Sequence, residues 1–213
     1  MTELIDIFNA NHERIGVCDQ ASVHRQGLWH QTFHCWIVSC HDDAGYLLLQ
    51  LRSATKKDHP NTLDVTAAGH LAAGEQALDG LRELEEELGV STAGSNLRYL
   101  GIKHDIMDGR HGIRNREFAH VYILRDDRPI EKYRLQAEEV SGLVEVSIED
   151  GLALFAGEVD SVAGKAVRVK DGVSRTYEQA VMTDNLIPRV DSYYLKIFIL
   201  AKLYLAGYRY LSI

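Results

Sequence analysis

The sequence predicts an α/β protein in which helices cover both faces of a mixed β-sheet. Two observations lead to this fold class. Short runs with strand-forming composition recur along the chain, and segments with helical periodicity or glycine- and aspartate-containing turns separate them. Strands and helices in this mixture are typical of an α/β/α sandwich. The sequence contains no internal repeat and no long flexible linker.

The N-terminal half contains three clear strand signals. Residues 4–8 alternate apolar and polar side chains and then meet a turn-forming segment. Residues 33–40 and 46–51 are rich in strand-forming side chains, and Asp42-Asp43-Ala44-Gly45 separates them. These two runs predict a β-hairpin.

One helix, predicted at about residues 76–88 and ended by Gly89, has two different faces. Its apolar stripe is formed by Ala77, Leu81, Leu84 and Leu88. Glu83, Glu86 and Glu87 have i, i+3, i+4 spacing and share the other face, which we expect to meet solvent and ions. Such close carboxylates repel one another unless a cation lies among them, and oxygen ligands suit Mg²⁺ or Mn²⁺. The helix therefore predicts a divalent-cation site.

The C-terminal half predicts further strands, one short helix and a closing helix. Strands are predicted at residues 97–107, 117–124 and 142–146, Ser147 caps a helix to about residue 156, and a hairpin over 166–181 turns at Asp171-Gly172. A helix over 189–206 is apolar nearly all round, so we expect its own domain or another subunit to cover it, and we favour its own domain.

Composition restricts the class of partner. The 213 residues include 46% hydrophobic and 25% charged residues, which suits one soluble domain with an elaborated terminus. The net charge of -8 argues against a nucleic-acid partner, although a small phosphorylated molecule is compatible with bound divalent cations. The three cysteines have no metal-type spacing, the first residues lack a signal-peptide pattern, and the most apolar stretch is too short to span a bilayer. We expect a cytoplasmic protein with no membrane association.

The segment from Gly69 to Val90 resembles the Nudix box, G-x5-E-x7-R-E-U-x-E-E-x-G-U, where U is a bulky aliphatic residue. Gly69 and Glu75 match its first part, and residues 82–90 match its last nine positions. Six residues separate Glu75 from Arg82, whereas the pattern has seven, so we expect a shortened loop or helix entry. The resemblance implies a Nudix-type sandwich over about residues 29–156. We divide the chain into a Nudix domain (1–156) and a C-terminal hairpin-plus-helix extension (157–213) packed on it.

The region before the box resembles type 1 isopentenyl-diphosphate isomerases and their hydrolase-like relatives. In those isomerases, upstream histidines, a motif histidine and two later glutamates hold a metal. His30 and His34 resemble the upstream histidines, His70 matches the motif histidine, and Glu117 matches the second glutamate. In this chain the three histidines can instead contact substrate or serve in packing.

Two positions depart from the isomerase pattern. Ala68 replaces the catalytic cysteine, and Asn115 replaces the first late glutamate. Isomerisation needs a proton added on one face of an alkene and removed from the other, and alanine has no ionisable group. The departure at Ala68 therefore favours hydrolysis.

The sequence predicts a Mg²⁺- or Mn²⁺-dependent pyrophosphohydrolase acting on a small diphosphate, either a nucleoside diphosphate derivative or an isoprenyl diphosphate. The alternatives are an isomerase-like enzyme and a non-catalytic nucleotide-sensing module. The protein would be a monomer or homodimer. The predicted metal ligands are Glu83, Glu86, Glu87 and the Gly69 carbonyl.

Other residues are predicted to support the reaction. Arg82 would brace the carboxylates by a salt bridge. The base that takes a proton from water would be Glu83, Glu86, Glu117 or one of Glu138 and Glu139, with Glu117 favoured. Cations that can receive phosphate, or lie solvated in a loop, are Arg52, Lys56 and Lys57.

Overall fold

The structure is a computed structural model that describes residues 3–108, 112–170 and 173–213. Within these residues one mixed sheet is packed between helices. Its strands are β1 Leu4–Phe8, β2 Arg14–Asp19, β3 Trp29–His41, β4 Ala44–Arg52, β5 Leu63–Asp64, β6 Ala67–His70, β7 Leu97–Asp108, β8 Arg114–Arg125, β9 Val140–Ser147, β10 Val162–Lys170 and β11 Val173–Val181. The α-helices are α1 Gln20–Gln26, α2 Leu81–Leu88, α3 Ile148–Phe155 and α4 Tyr193–Leu205.

Strand β3 organises the sheet because its two halves have different neighbours. Along one edge, residues 32–35 pair antiparallel with β6 and residues 38–41 pair antiparallel with β4. Along the other edge, residues 30–38 pair parallel with β8. Beyond β4 the sheet continues through β9 and β10 to β11. The β10–β11 hairpin therefore extends the same sheet, although its predicted turn residues, Asp171 and Gly172, lie outside the described residues.

Alternation along β3 separates two core regions. Trp36 and Val38 point to the face covered by α3 and α4. Cys35 and Ile37 point to the opposite face, where the apolar side of α2 packs. Successive strand side chains point to opposite faces, so one strand contributes to both cores. The predicted α/β/α sandwich is confirmed.

Local sequence patterns also predicted the β3–β4 hairpin and the start of α3 correctly. The predicted β3–β4 hairpin is present, with Val38 opposite Leu47. The Ser147 hydroxyl accepts a hydrogen bond from the Asp150 backbone N–H at 3.1 Å, which caps α3. Short side-chain caps of this kind depend only on neighbouring residues, so the sequence was sufficient to locate them.

Two predicted helix starts are wrong. Residues Ala77–Gly80 form a 3-10 turn, and the α-helix begins only at Leu81. Gly80 ends this turn so close to Phe33 that a Cβ atom would overlap that ring. The closing helix begins at Tyr193 rather than at residue 189. Arg189 lies outside it, in ion pairs with Asp64 and Asp105.

The N-terminal segment adds two elements that the sequence pattern did not predict, β2 and α1. Asp19 caps α1 by accepting a hydrogen bond from the Ser22 N–H at 2.9 Å, and Gly27 ends the helix with φ +68°. This short helix carries His24 to the cleft described below. No helix in the described part of the chain is long and apolar enough to cross a membrane.

Candidate active site

A cleft of about 1040 Å³ opens above β6 and α2. Its wall includes thirteen of the fourteen residues that the sequence selected: Arg52, Lys56, Lys57, Gly69, His70, Arg82, Glu83, Glu86, Glu87, Glu117, His34, Glu138 and Glu139. The fourteenth, His30, is fully buried and is not part of the wall. The fold therefore brings together residues that are far apart in the sequence.

Gly69 forms the support under the carboxylate of Glu83. A Cβ atom built on Gly69 would overlap the Glu83 carboxyl group. Because Gly69 has no side chain, α2 can bring this carboxylate against the backbone of β6. Such a close approach is one of the situations in which a protein requires glycine.

The three glutamates of α2 differ in exposure. Glu83 and Glu87 are buried, at 9% and 5% exposed, whereas Glu86 is exposed. The expectation that all three meet solvent is therefore wrong for Glu83 and Glu87, because β6 covers that side of the helix. Burial, followed by the nearby charge of Glu83, raises the pKa of Glu87 to about 8, and its Oε2 has no hydrogen-bond partner. Two neighbouring buried carboxyl groups with an unpartnered oxygen fit a divalent cation.

Arg82 links the box residues to one another. Its guanidinium donates to the His70 carbonyl at 2.7 Å and to Glu75 Oε1 at 3.2 Å. It also forms ion pairs with Glu83 and, at 3.6 Å, with Glu86. Glu75 thus reaches the carboxylate group through Arg82 despite the missing residue between them. The segment between Glu75 and Arg82 contains the 3-10 turn Ala77–Gly80.

A cluster of three histidines, His24, His30 and His70, lies beside the glutamates. Their nearest ring nitrogens are within 4.8 Å of one another. Nδ1 of His30 donates to the Leu28 carbonyl at 3.0 Å, because a carbonyl can only accept. Nε2 of His30 then presents a lone pair; it has no hydrogen-bond partner and lies 3.9 Å from Glu117 Oε1. A lone pair facing a carboxylate fits a bound cation.

His34 is separate from this cluster. It lies four residues after His30 on the same strand, which places their backbones about 13 Å apart. Nε2 of His34 lies 3.9 Å from Glu117 Oε2, and Nδ1 lies 3.1 Å from the hydroxyl of Tyr193. Among the described residues, the histidine that joins His30 and His70 is therefore His24, whereas His34 is linked to His30 only through the carboxylate of Glu117. An irregular segment separates His24 from β3, so strand periodicity gave no signal for it.

The carboxylate of Glu117 lies between His30 and His34. Its oxygens accept hydrogen bonds from the Asn115 amide and, at 3.4 Å, from the Thr32 hydroxyl. Glu117 is only 6% exposed, yet it lines the cleft. Strand pairing explains this placement, since His30 is directly opposite Glu117 in the parallel β3–β8 pair.

The predicted phosphate-binding cations have different environments. Arg52 donates to the carbonyls of Asp58 and His59, which closes its own loop. Lys56 forms an ion pair with Glu139. Lys57 forms no ion pair within the described part of the chain. Among the three, Lys57 therefore has the most bonding capacity left for a ligand.

The C-terminal extension also supplies part of the cleft wall. Arg189 and Ile187 line the cleft, and Arg189 is held by Asp64 at 2.7 Å and by Asp105. Within this ionic group the side chain of Arg189 is only 5% exposed. The sequence did not identify these residues, because they follow no motif and depend on contacts between distant segments.

Comparisons with known proteins identify the family of the chain. The sequence profile of the NUDIX domain matches residues 29–162. A Nudix hydrolase of Clostridium acetobutylicum, named as uncharacterised, is 36% identical over 194 residues, which cover 90% of this chain and 93% of that protein. Nudix hydrolase 3 of Arabidopsis thaliana is 35% identical over 153 residues, which cover 70% of this chain and 20% of the plant protein.

Solved structures show the same fold. A protein of Deinococcus radiodurans has a TM-score of 0.53 at 23% identity, with 73% of this chain and 90% of that chain covered. A MutT/nudix family protein of Enterococcus faecalis has a TM-score of 0.52 at 14% identity, covering 82% and 61% of the two chains. The chain belongs to the Nudix hydrolase family. Its box segment and its fold therefore define an enzyme of that family.

Proposed function

We propose that the protein is a pyrophosphohydrolase that uses Mg²⁺ or Mn²⁺ to cleave the phosphoanhydride bond of a small diphosphate. The observation that carries this proposal is the buried pair of carboxyl groups on α2, Glu83 and Glu87, which line the cleft and include an unpartnered oxygen. Carboxylates kept this close without a cation between them are electrostatically unfavourable.

The cation would be held by Glu83, Glu86 and Glu87, with the Gly69 carbonyl beside them. A bound divalent cation neutralises phosphate oxygens and lowers the pKa of water. Arg82 keeps the carboxylates in place through its bonds to Glu75 and the His70 carbonyl.

Glu117 is the candidate base that accepts the proton of the attacking water. It is held by hydrogen bonds on β8, and it faces the same cleft as the α2 glutamates. A base must lie within reach of the proton that it removes, and a side chain with a fixed orientation meets that requirement best. Glu139 is less suitable, since it is engaged by Lys56.

The cleft wall favours a substrate whose non-phosphate part is polar. Most of the described lining residues are charged or polar, and the larger apolar ones are limited to Met107, Ile113 and Ile187. An isoprenyl chain would need a continuous apolar surface to leave water. We therefore rank nucleoside diphosphate derivatives above isoprenyl diphosphates as the substrate class.

One observation favours an isomerase-like alternative. His24, His30 and His70 converge near Glu117, as metal-binding residues do in the resembling isomerases. Ala68 also lines the cleft, however, and its methyl group cannot donate or accept a proton. Hydrolysis thus remains the first proposal, and the intact carboxylate set argues against a purely sensing module.

The experiment is a screen over a panel of diphosphates with Mg²⁺, in which inorganic phosphate is measured directly and after a phosphatase that acts on the monoester products, followed by two matched variants of α2. Glu87→Gln should lower kcat on the best substrate by about 100-fold or more, because a direct ligand is lost. Glu85→Gln is the control, since Glu85 is exposed on the same helix and does not line the cleft. Near-normal turnover by Glu87→Gln, with circular dichroism showing an intact fold, would exclude this mechanism.

A further inference from the structure

The C-terminal helix makes a buried hydrogen bond to His34, which lies beside the candidate base Glu117. Tyr193 is the first residue of α4 and is fully buried. Its hydroxyl oxygen lies 2.9 Å from Nε1 of Trp36 and 3.1 Å from Nδ1 of His34. The other ring nitrogen of His34, Nε2, lies 3.9 Å from Oε2 of Glu117. Hydrogen bonds therefore join the extension to His34, and the last step to the carboxylate in the cleft is a longer electrostatic contact.

The chemistry of the groups determines which one donates in each of these two hydrogen bonds. The indole N–H of Trp36 can only donate, so the Tyr193 oxygen accepts from it. In the described residues, the one acceptor within hydrogen-bond range of the Tyr193 proton is Nδ1 of His34. A proton on Nδ1 would leave the buried hydroxyl without an acceptor, which is unfavourable. Nδ1 therefore accepts, and the proton of the neutral ring is on Nε2.

This tautomer has a direct consequence for Glu117. The N–H at Nε2 faces Oε2 of the carboxylate, whereas the opposite tautomer would place a lone pair there and repel it. His30 presents the reverse arrangement, a lone pair, to Oε1. Beyond the hydrogen bonds from Asn115 and Thr32, the two carboxylate oxygens thus face different histidine nitrogens, and the N–H of His34 attracts Oε2 to its side.

We propose that Tyr193 is a positioning residue that fixes the tautomer of His34 and thereby orients the carboxylate of Glu117. The effect on turnover rests on the proposed function, in which Glu117 is the base. The hydrogen bond between Tyr193 and His34 does not depend on the substrate. The proposal gives the C-terminal extension a role in the active site besides its contribution to the core.

The test compares Tyr193→Phe with Tyr194→Phe. Tyr194 is a neighbouring buried tyrosine on α4, and its hydroxyl donates to the Ile187 carbonyl at 2.9 Å without contacting His34. Long-range ¹H–¹⁵N correlation spectra of metal-free, ¹⁵N-histidine-labelled protein report which ring nitrogen carries the proton. The His34 signals are assigned from the spectrum of His34→Gln.

Wild type and Tyr194→Phe should show His34 protonated on Nε2, and Tyr193→Phe should lose this fixed tautomer. With Mg²⁺ and the best diphosphate substrate, Tyr193→Phe should lower kcat about tenfold while KM changes less than about twofold. The proposal is overturned if wild-type His34 carries its proton on Nδ1, or if either readout is unchanged in Tyr193→Phe. If no diphosphate is hydrolysed, the proposed function fails, and the tautomer comparison alone decides the role of Tyr193.

Discussion

Gly69 and the carboxylate of Glu83 are so close that no side chain fits between them. This relationship joins a strand and a helix at the centre of the cleft, and it explains why glycine is needed at the start of the box. The backbone of β6 and the Glu83 carboxyl group on α2 form one surface. Changes on either side should therefore affect the same property, which is the position of the carboxylates.

Gly69→Ala is the first prediction. The added methyl group would push the Glu83 carboxyl group away, so metal-dependent hydrolysis should fall by about 10- to 100-fold while the fold is retained. Isothermal titration of Mg²⁺ and steady-state kinetics measure the effect. Gly74→Ala provides a comparison, since a Cβ atom there meets nothing within 4 Å, although its positive φ of 87° adds backbone strain. Normal metal affinity in Gly69→Ala would show that the contact is unimportant.

The second prediction concerns the link between Glu75 and Arg82. Glu75→Gln removes the charge that holds Arg82 at 3.2 Å, and it leaves the α2 ligands unchanged. Turnover should fall by about tenfold, which is less than for Glu87→Gln, because only the support of the ligands is weakened. Arg82→Lys should give a similar loss, since a lysine cannot reproduce the several directed bonds of the guanidinium. Equal losses for Glu75→Gln and Glu87→Gln would contradict this ranking.

Much of this architecture follows from local signals in the sequence. The β3–β4 hairpin, the Ser147 cap and the carboxylate face of α2 each depend on residues close together in the chain. Their side chains either pack with period 2 or 3.6 or satisfy a neighbouring backbone group. For such features a single sequence contains the necessary information.

The features of the site that the sequence did not predict depend on contacts between distant segments. His24 joins His30 and His70 only because α1 packs against β1, β2 and β8, and Arg189 enters the cleft wall because Asp64 and Asp105 bind it. The buried state of Glu87 likewise depends on β6. None of these contacts produces a periodic pattern, so the residues had no local signal.

The third prediction concerns the pH dependence of stability in the metal-free protein. Burial raises the pKa of Glu87 from its ordinary 4.5 to about 8. Between these values the unfolded chain has released this proton and the folded chain retains it, so this group lowers stability as pH rises from 4.5 to about 8. Below pH 4.5 the ionisation of Glu87 has no effect on stability, and above pH 8 its full destabilising effect is present.

Thermal unfolding with a chelator, from pH 5 to 8.5, measures this effect. The melting temperature of wild type should fall with pH relative to that of Glu87→Gln. Mg²⁺ added at pH 8 should raise the wild-type value more than the variant value, since a cation that binds only the folded state stabilises it. Parallel pH curves for the two proteins would disprove the predicted ionisation.

The fourth prediction separates hydrolysis from isomerisation. Because Ala68 lacks an ionisable atom, incubation with isopentenyl diphosphate and Mg²⁺ should give no dimethylallyl diphosphate. Phosphate release from that substrate is compatible with the proposed activity. Product analysis by NMR distinguishes the two outcomes, and isomer formation in proportion to enzyme concentration would reverse the ranking.

The last prediction concerns the packing of α4, where two adjacent residues have opposite environments. Phe198 is fully buried against α3, and its ring occupies the space that a Cβ atom on Gly151 would need. Ile199 is 43% exposed. Phe198→Ala should reduce the free energy of unfolding by about 3–5 kcal/mol, because it removes buried apolar surface and leaves a cavity. Ile199→Ala should change it by less than about 1 kcal/mol, since little surface is buried there. Urea unfolding followed by circular dichroism measures both values. Similar stabilities for the two variants would show that α4 contributes little to the core.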